Sequence, residues 1–195
     1  MWKHISIAIR LAIMTLVITG IAYPLIITGI AQVAFPKQAN GSLVKRDGKV
    51  IGSELIGQQF TRPEYFHPRP SAAGDGYDAS ASGGSNLGPT NEKLIERVSV
   101  DVQRVQKDNP DLAGRRVPAD MVTTSASGLD PDITPANAYA QVTRVARARG
   151  VSVGNIRKLV DTNITKRQLG MLGELRVNVL GLNMALDANY KAITQ

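Results

Sequence analysis

From Leu11 to Pro36 the chain reads LAIMTLVITGIAYPLIITGIAQVAFP, without one charged side chain. A bilayer's hydrocarbon core is roughly 30 Å thick and is crossed by about 20 apolar residues in a helix. Inside it every backbone polar group must be satisfied within the segment, which a helix does. The run therefore predicts one transmembrane helix over residues 11–35, with length left for tilt. Pro24 takes one backbone hydrogen bond out of that helix, and Gly20 and Gly29 thin it nearby. Small residues let a neighbouring helix approach closely, so Gly20, Pro24 and Gly29 are candidate partner contacts. Trp2 and Phe35 stand where interfacial aromatics anchor a span. A cleaved signal peptide is the competing reading. Its apolar core is usually about 7–15 residues, shorter than this one, and Gly29-Ile30-Ala31 is a weak substitute for an Ala-x-Ala cleavage site.

Lys3, Arg10 and the free amino terminus favour a cytoplasmic segment 1–10. Lys37, Lys45, Arg46 and Lys49 follow the span, but a long translocated domain largely escapes the positive-inside count. The formal net charge is +7, and a surplus of five remains once Lys3 and Arg10 are set aside. For a domain tethered to a bilayer, that balance points to lipid headgroups or a partner protein. Arg144, Arg147, Arg149, Arg157, Lys158, Lys166 and Arg167 form a basic region without interleaved aromatics. Such a region makes a poor nucleic-acid platform and reads as a solvated or lipid-facing surface. With no cysteine in the chain, disulfides, iron–sulfur clusters, thiolate zinc sites and a cysteine nucleophile are excluded.

Residues 36–195 read as a soluble domain of α+β class. A polar linker, Lys37–Gly41, leads to SLVKRDGKVIG, where Asp47-Gly48 between β-favouring runs predicts a type I′ hairpin. From Thr61 to Pro89, Pro63, Pro68, Pro70, Gly74, Gly76, Gly83, Gly84, Gly88 and Pro89 leave no room for a helix or regular strand. Phe60, Tyr65, Phe66 and Tyr77 argue against disorder, so this is an ordered loop draped over the domain or a partner. Thr90 or Asn91 caps a first helix, whose apolar face is Leu94, Ile95, Val98, Val102 and Val105, and Asn109-Pro110 ends it. Thr134 and Pro135 begin a second, with Ala138, Val142, Val145 and Ala146 facing inward and Gly150 at the C′ position. Ser152 caps a third, with Val153, Ile156, Leu159 and Val160 inward. Alternation over Arg176–Val179 predicts a strand, and Leu182–Tyr190 a closing amphipathic helix.

Chemistry is hard to place in this sequence. A serine triad needs a histidine oriented by a carboxylate. His67, between Phe66 and Pro68, has no such motif around it and reads as a packed loop residue. Asp75 with Asp78, or Asp130 with Asp132, could offer oxygen ligands to calcium, although Asp130-Pro131-Asp132 reads more simply as a turn into the Thr134 cap. SGGSNLGPTN lacks the Lys-Ser/Thr pair of a phosphate loop and reads as a turn before a helix. The residues alone support a membrane-anchored binding or assembly module, and a membrane-tethered periplasmic hydrolase is the alternative from another class.

Several blocks resemble the C subunit of the bacterial Kdp high-affinity potassium-transporting ATPase. They are YPLIITGIAQVAFPKQANGSLV, GSELIGQQF, YFHPRPSA, SGGSNLGPTN, VTTSASGLDPDITPANAYAQVTRVARARG and RVNVLGLNMALD. Leu175 departs from the pattern, standing where proline is common. The resemblance implies a non-catalytic accessory subunit in the bacterial inner membrane, single-pass, with a cytoplasmic N-terminus and residues 36–195 periplasmic. Its implied partners are a channel-like potassium-binding subunit, a P-type ATPase subunit and a small single-span subunit. It implies no cofactor of its own, with ATP and potassium handled by the complex, and no nucleic acid.

Two roles follow from the resemblance. In one, the subunit is a catalytic chaperone that raises ATP affinity, and Gln141, on the Thr134–Arg149 helix, contacts nucleotide. A periplasmic Gln141 lies across the membrane from cytoplasmic ATP, and on the sequence it is an ordinary exposed helix residue. In the other, the domain covers the outer mouth of the channel subunit and stabilises the assembly. The span then packs on partner helices and the Thr61–Pro89 loop docks on the channel mouth, with Ser82, Gly83, Gly84, Ser85, Asn86, Leu87 and Gly88 as candidate contacts. Any surface attracting a cation would be local, around Asp75, Asp78, Asp130 and Asp132.

Overall fold

The computed structural model describes residues 1–190, so the last five residues of the expected domain 36–195 lie outside the described residues. The chain divides into two compact units, Met1–Ile51 and Gly52–Gln195.

In the first unit a helix runs without interruption from Trp2 to Ala34, long and apolar enough to cross a membrane. It comprises α1 (Trp2–Val17), a π-helical turn (Ile18–Ala22) and α2 (Tyr23–Ala34). The wide turn has a local cause. The Pro24 ring would collide with the carbonyl four residues back, at Gly20, and a π turn opens that contact. Phe35 leaves helical geometry (φ −138°, ψ 54°), and a single turn, α3 (Pro36–Ala39), replaces part of the polar linker expected over Lys37–Gly41. Then come β1 (Leu43–Arg46) and β2 (Lys49–Ser53). Asp47 and Gly48 between them both have positive φ, 51° and 76°, as the type I′ turn requires.

The second unit has no helix or strand from residue 54 to residue 91. Its remaining elements are α4 (Glu92–Asp108), two single 3-10 turns (Pro110–Leu112 and Ala119–Met121), β3 (Asp132–Ile133), α5 (Pro135–Arg149), α6 (Val153–Thr162), β4 (Ile164–Thr165), β5 (Arg176–Asn178) and α7 (Val179–Asn189). Short β5 lies between β3 and β4, antiparallel to both, so Val177 stands opposite Ile133 on one side and Ile164 on the other. That apolar row is one wall of the main core. Ala138, Val142, Val145 and Ala146 of α5, Ile156 and Val160 of α6, and Val179, Leu182 and Leu186 of α7 complete it. A smaller cluster, Val105, Leu112, Met121 and Val122, seats the second half of α4.

The helix ends follow their caps. Asn91, Thr134 and Ser152 each accept a backbone N–H of the first turn, and Gly150 closes α5 at φ 62°. Three expectations need correction. The closing helix begins at Val179, because the Asn178 side chain accepts from Gly181 N and starts it there. Val153 is 47% exposed because it opens α6 ahead of the buried Ile156. Ile95 is 59% exposed, since the small cluster covers α4 only from Val98 onward.

Candidate functional site

Residues 61–70 hold no regular structure, yet Phe66 is fully buried in the main core. Buried backbone groups need partners, and here helix side chains supply them. Arg144 donates through one nitrogen to Pro63 O (2.6 Å) and Tyr65 O (3.0 Å). Arg149 donates from Nε to Glu64 O (2.9 Å). Asn183 accepts Phe66 N–H (2.8 Å) and donates to Phe66 O (2.9 Å). Gln141 does the same for His67, at 2.7 Å and 3.0 Å. Every carbonyl from Pro63 to His67 is thus taken by a side chain of α5 or α7. The segment is held like a strand whose neighbour is two helices.

Gln141 corrects an expectation: it is 1% exposed, not an exposed helix residue. Its Oε1 accepts from His67 N and from Arg144 (2.5 Å), and its Nε2 donates to His67 O and to Asn137 Oδ1 (2.7 Å). An amide offers two donors and about two acceptor positions, so all are in use. Asn137 passes the network to Asp120, which also accepts Thr134 N (2.8 Å) and Thr134 Oγ1 (3.1 Å) at the start of α5.

Two cations expected on a solvated surface are internal instead. Arg144 is buried, and its Nε reaches Asn109 Oδ1 at 3.1 Å. Burial lowers its pKa to about 10. Arg149 is 2% exposed, pairs with Asp187 (2.8 Å), donates to Tyr190 O (2.6 Å) and lies 4.9 Å from the centre of the Tyr65 ring. Arg62 lies 5.0 Å from the same ring, so Tyr65 has a guanidinium contact from each of two arginines.

His67 is packed, as its neighbours suggested. Its Nε2 is 3.0 Å from Arg62 O and 3.4 Å from the Arg144 nitrogen already donating to two carbonyls. Nε2–H therefore donates to Arg62 O, the two hydrogens of that Arg144 nitrogen being taken by Pro63 O and Tyr65 O. Burial first, and the Arg144 charge second, hold its pKa below 6.5. Among the described residues no serine hydroxyl bonds to it: Ser80 donates to Asp78 (2.6 Å) and Ser82 to Ser127 O (3.0 Å).

Further along, Arg69 pairs with Asp130 (2.8 Å) and donates to Thr124 O (3.2 Å), while Tyr77 OH donates to Arg69 O (2.5 Å). Burial raises the Tyr77 phenol to about 12. Gly83 N donates to Ser127 O (2.9 Å). A Cβ on Gly128, at φ 68°, would stand 2.5 Å from Gly83 O. Backbone contact that close fixes residues 82–84 against 125–128. Gly83, Gly84, Ser85 and Leu87 are half-buried, whereas Ser82, Asn86 and Gly88 are exposed. Gly20, Pro24 and Gly29 belong to the other unit, where none of the helix is buried.

The four acids expected to attract a cation do not act together. Asp130 is spent on Arg69, and Asp132 pairs with Arg176 at 3.0 Å. Burial raises the Asp132 pKa, while the Ser80 hydroxyl and N–H lower that of Asp78. Among the described residues no three histidines or acids are grouped to hold a metal ion. Between the clamped strap of residues 61–70 and α4 lies a cleft of about 520 Å³, lined among others by Gln59, His67, Tyr77, Asp101, Asn109 and Gln141.

Asn183, Asn137, Asp120 and Arg69 were not singled out from the sequence, and Arg144 and Arg149 were read there only as surface charge. The signal was phase. Gln141, Arg149 and Asn183 recur three or four residues from buried apolar positions, where a solvated side chain does not belong.

A family described as the K+-transporting ATPase c chain matches residues 5–188. A Koribacter versatilis protein named potassium-transporting ATPase KdpC subunit is 56% identical over 187 residues, 96% of this chain and 95% of its own length. Those of the same name from Caulobacter vibrioides (60% over 175 residues, 89% and 87%) and Mycobacterium bovis (54% over 187 residues, 96% and 99%) are similar as well.

Proposed function

The chain belongs to the KdpC family, the c chain of K+-transporting ATPases, and from that membership we propose that it is a non-catalytic accessory subunit that stabilises the assembly. Its partners on this reading are a channel-like potassium-binding subunit, a P-type ATPase subunit and a small single-span subunit. The N-terminus is cytoplasmic and the second unit periplasmic, the sense favoured by Lys3 and Arg10. ATP and potassium are handled by the partners.

The observation that carries the reading is the strap. Five successive carbonyls, Pro63 to His67, are clamped by α5 and α7. Backbone held rigid in this way is ready for docking, because little conformational entropy is left to lose on binding. Ser82–Gly88, farther along the same irregular stretch and held against residues 125–128 through Gly83 and Gly128, docks on the channel-like subunit. The catalytic-chaperone role, with Gln141 on nucleotide, asks more of that residue. A nucleotide contact would have to replace bonds that hold His67.

Exchanging Ser82–Gly88 for a Gly-Ser linker of equal length tests this. The complex is expected to lose the channel-like subunit while the thermal transition of the variant chain stays within a few degrees. An intact, transporting complex from that variant would refute docking through this segment. A Gln141→Ala complex that keeps its subunits but loses nucleotide affinity would favour the chaperone role.

A further inference from the structure

The charge surplus is not spread over the molecule. From Gly52 onward there are 17 Lys and Arg against 15 Asp and Glu, so that unit is close to neutral. The remaining cations stand at the two ends of the span: Lys3 and Arg10 before it, and Lys37, Lys45, Arg46 and Lys49 after it, with Asp47 the one acid. All four of the latter are exposed.

Their depth follows from the helix. Lys37 is three residues past Ala34, at most about 11 Å along the chain, and the headgroup layer on each side of the hydrocarbon is roughly 5–8 Å deep. The link onward is not a loose tether. Asn40 Nδ2 donates to Gln32 Oε1 (3.0 Å), inside the last turns of the span, and to Pro36 O (2.7 Å). Gly41 N donates to Gln38 O and Ser42 N to Lys37 O. Gly41 and Ser42, at φ 80° and 47°, turn the chain into the hairpin. Beside the cations, Phe35 is 59%, Leu43 49% and Val50 54% exposed. Apolar side chains next to lysine and arginine match the boundary between acyl chains and headgroups.

We propose that Lys37 and the hairpin Leu43–Ile51 form a binding surface for anionic phospholipid headgroups in the leaflet where the span ends. The cations meet the phosphates, and Phe35, Leu43 and Val50 rest at the acyl boundary. The span and the hairpin then fix the depth of the chain together. This rests on the helix crossing the bilayer and is independent of the docking role of the strap.

The test uses the full chain reconstituted in phosphatidylcholine liposomes carrying traces of spin-labelled phosphatidylglycerol or spin-labelled phosphatidylcholine. The restricted fraction of each lipid gives their relative association. Phosphatidylglycerol is expected to be preferred by about fivefold or more, the factor one cation contributes near an anionic surface. The preference should fall to near parity in the variant Lys37→Gln, Lys45→Gln, Arg46→Gln, Lys49→Gln and largely survive in Lys3→Gln, Arg10→Gln. A preference kept by the first variant, or lost only in the second, overturns the proposal. So does abolition by inorganic phosphate, which would mark a site for free anions. The chain has no native cysteine, so Lys49→Cys accepts a single nitroxide. That label should collide with a nickel chelate carried on lipid headgroups, and a label behaving as in bulk water also overturns the proposal. Resistance of the reconstituted chain to alkaline carbonate reports the span separately, so failure of the span is seen apart from failure of the headgroup surface.

Discussion

Replacing Gln141 with alanine removes four hydrogen bonds at once and changes no charge. His67 N–H and C=O, Asn137 Oδ1 and one Arg144 nitrogen each lose a partner. A buried polar group left unpaired costs about 1–3 kcal/mol. The two His67 backbone groups set the scale, and the neighbouring cleft lets water relieve part of the loss. A destabilisation of about 2–5 kcal/mol follows, a large share of the 5–15 kcal/mol typical of a folded domain. For a chain of this size that is a drop in Tm of roughly 5–15 °C. Calorimetry of the full chain in detergent micelles reads the second unit, since the apolar helix stays folded in the micelle. Asn183→Ala should cost a similar amount, because Asn183 holds Phe66 as Gln141 holds His67. The double variant should lose less than the sum, since either change already frees the strap. A Gln141→Ala protein melting within about 2 °C of the unaltered chain would refute the reasoning.

Arg149→Lys keeps the charge but not the fork that reaches Glu64 O, Tyr190 O and Asp187; a loss of about 3 kcal/mol or more is expected in urea unfolding. The His67 pKa lies below its unfolded value of 6.5, so the folded state binds fewer protons and stability falls as pH drops below 6.5. His67→Gln should flatten that slope, and the His67 ring resonances should titrate below 6.5 in NMR. Gly128→Ala should be far more costly than Gly170→Ala. Both positions have positive φ, but an added Cβ meets Gly83 O at 2.5 Å in the first and open space in the second. Proteolysis near Ser82–Gly88 should quicken only in the first.

Much of the architecture was legible because its signals are local. The uncharged run, the Asp47-Gly48 turn and the caps at Asn91, Thr134 and Ser152 each act over a few residues, and each stands where the sequence put it. The strap was legible as irregular but not as clamped. Its partners are up to 122 residues away, as in the pairing of Tyr65 with Asp187, and no local pattern carries that information. The basic region misled for a related reason. Arg144 and Arg149 look like surface charge until the carbonyls they satisfy arrive from the strap. The acids Asp130 and Asp132 likewise have partners that no local pattern shows, Arg69 and Arg176.

The assembly role is tested most directly by affinity isolation of the tagged full chain in mild detergent from potassium-starved cells. Co-recovery of a multi-span channel-like protein and a P-type ATPase, with potassium-stimulated ATP hydrolysis in the isolate, is the expected result. Recovery of the chain alone in several detergents, from cells that make all the subunits, would contradict it.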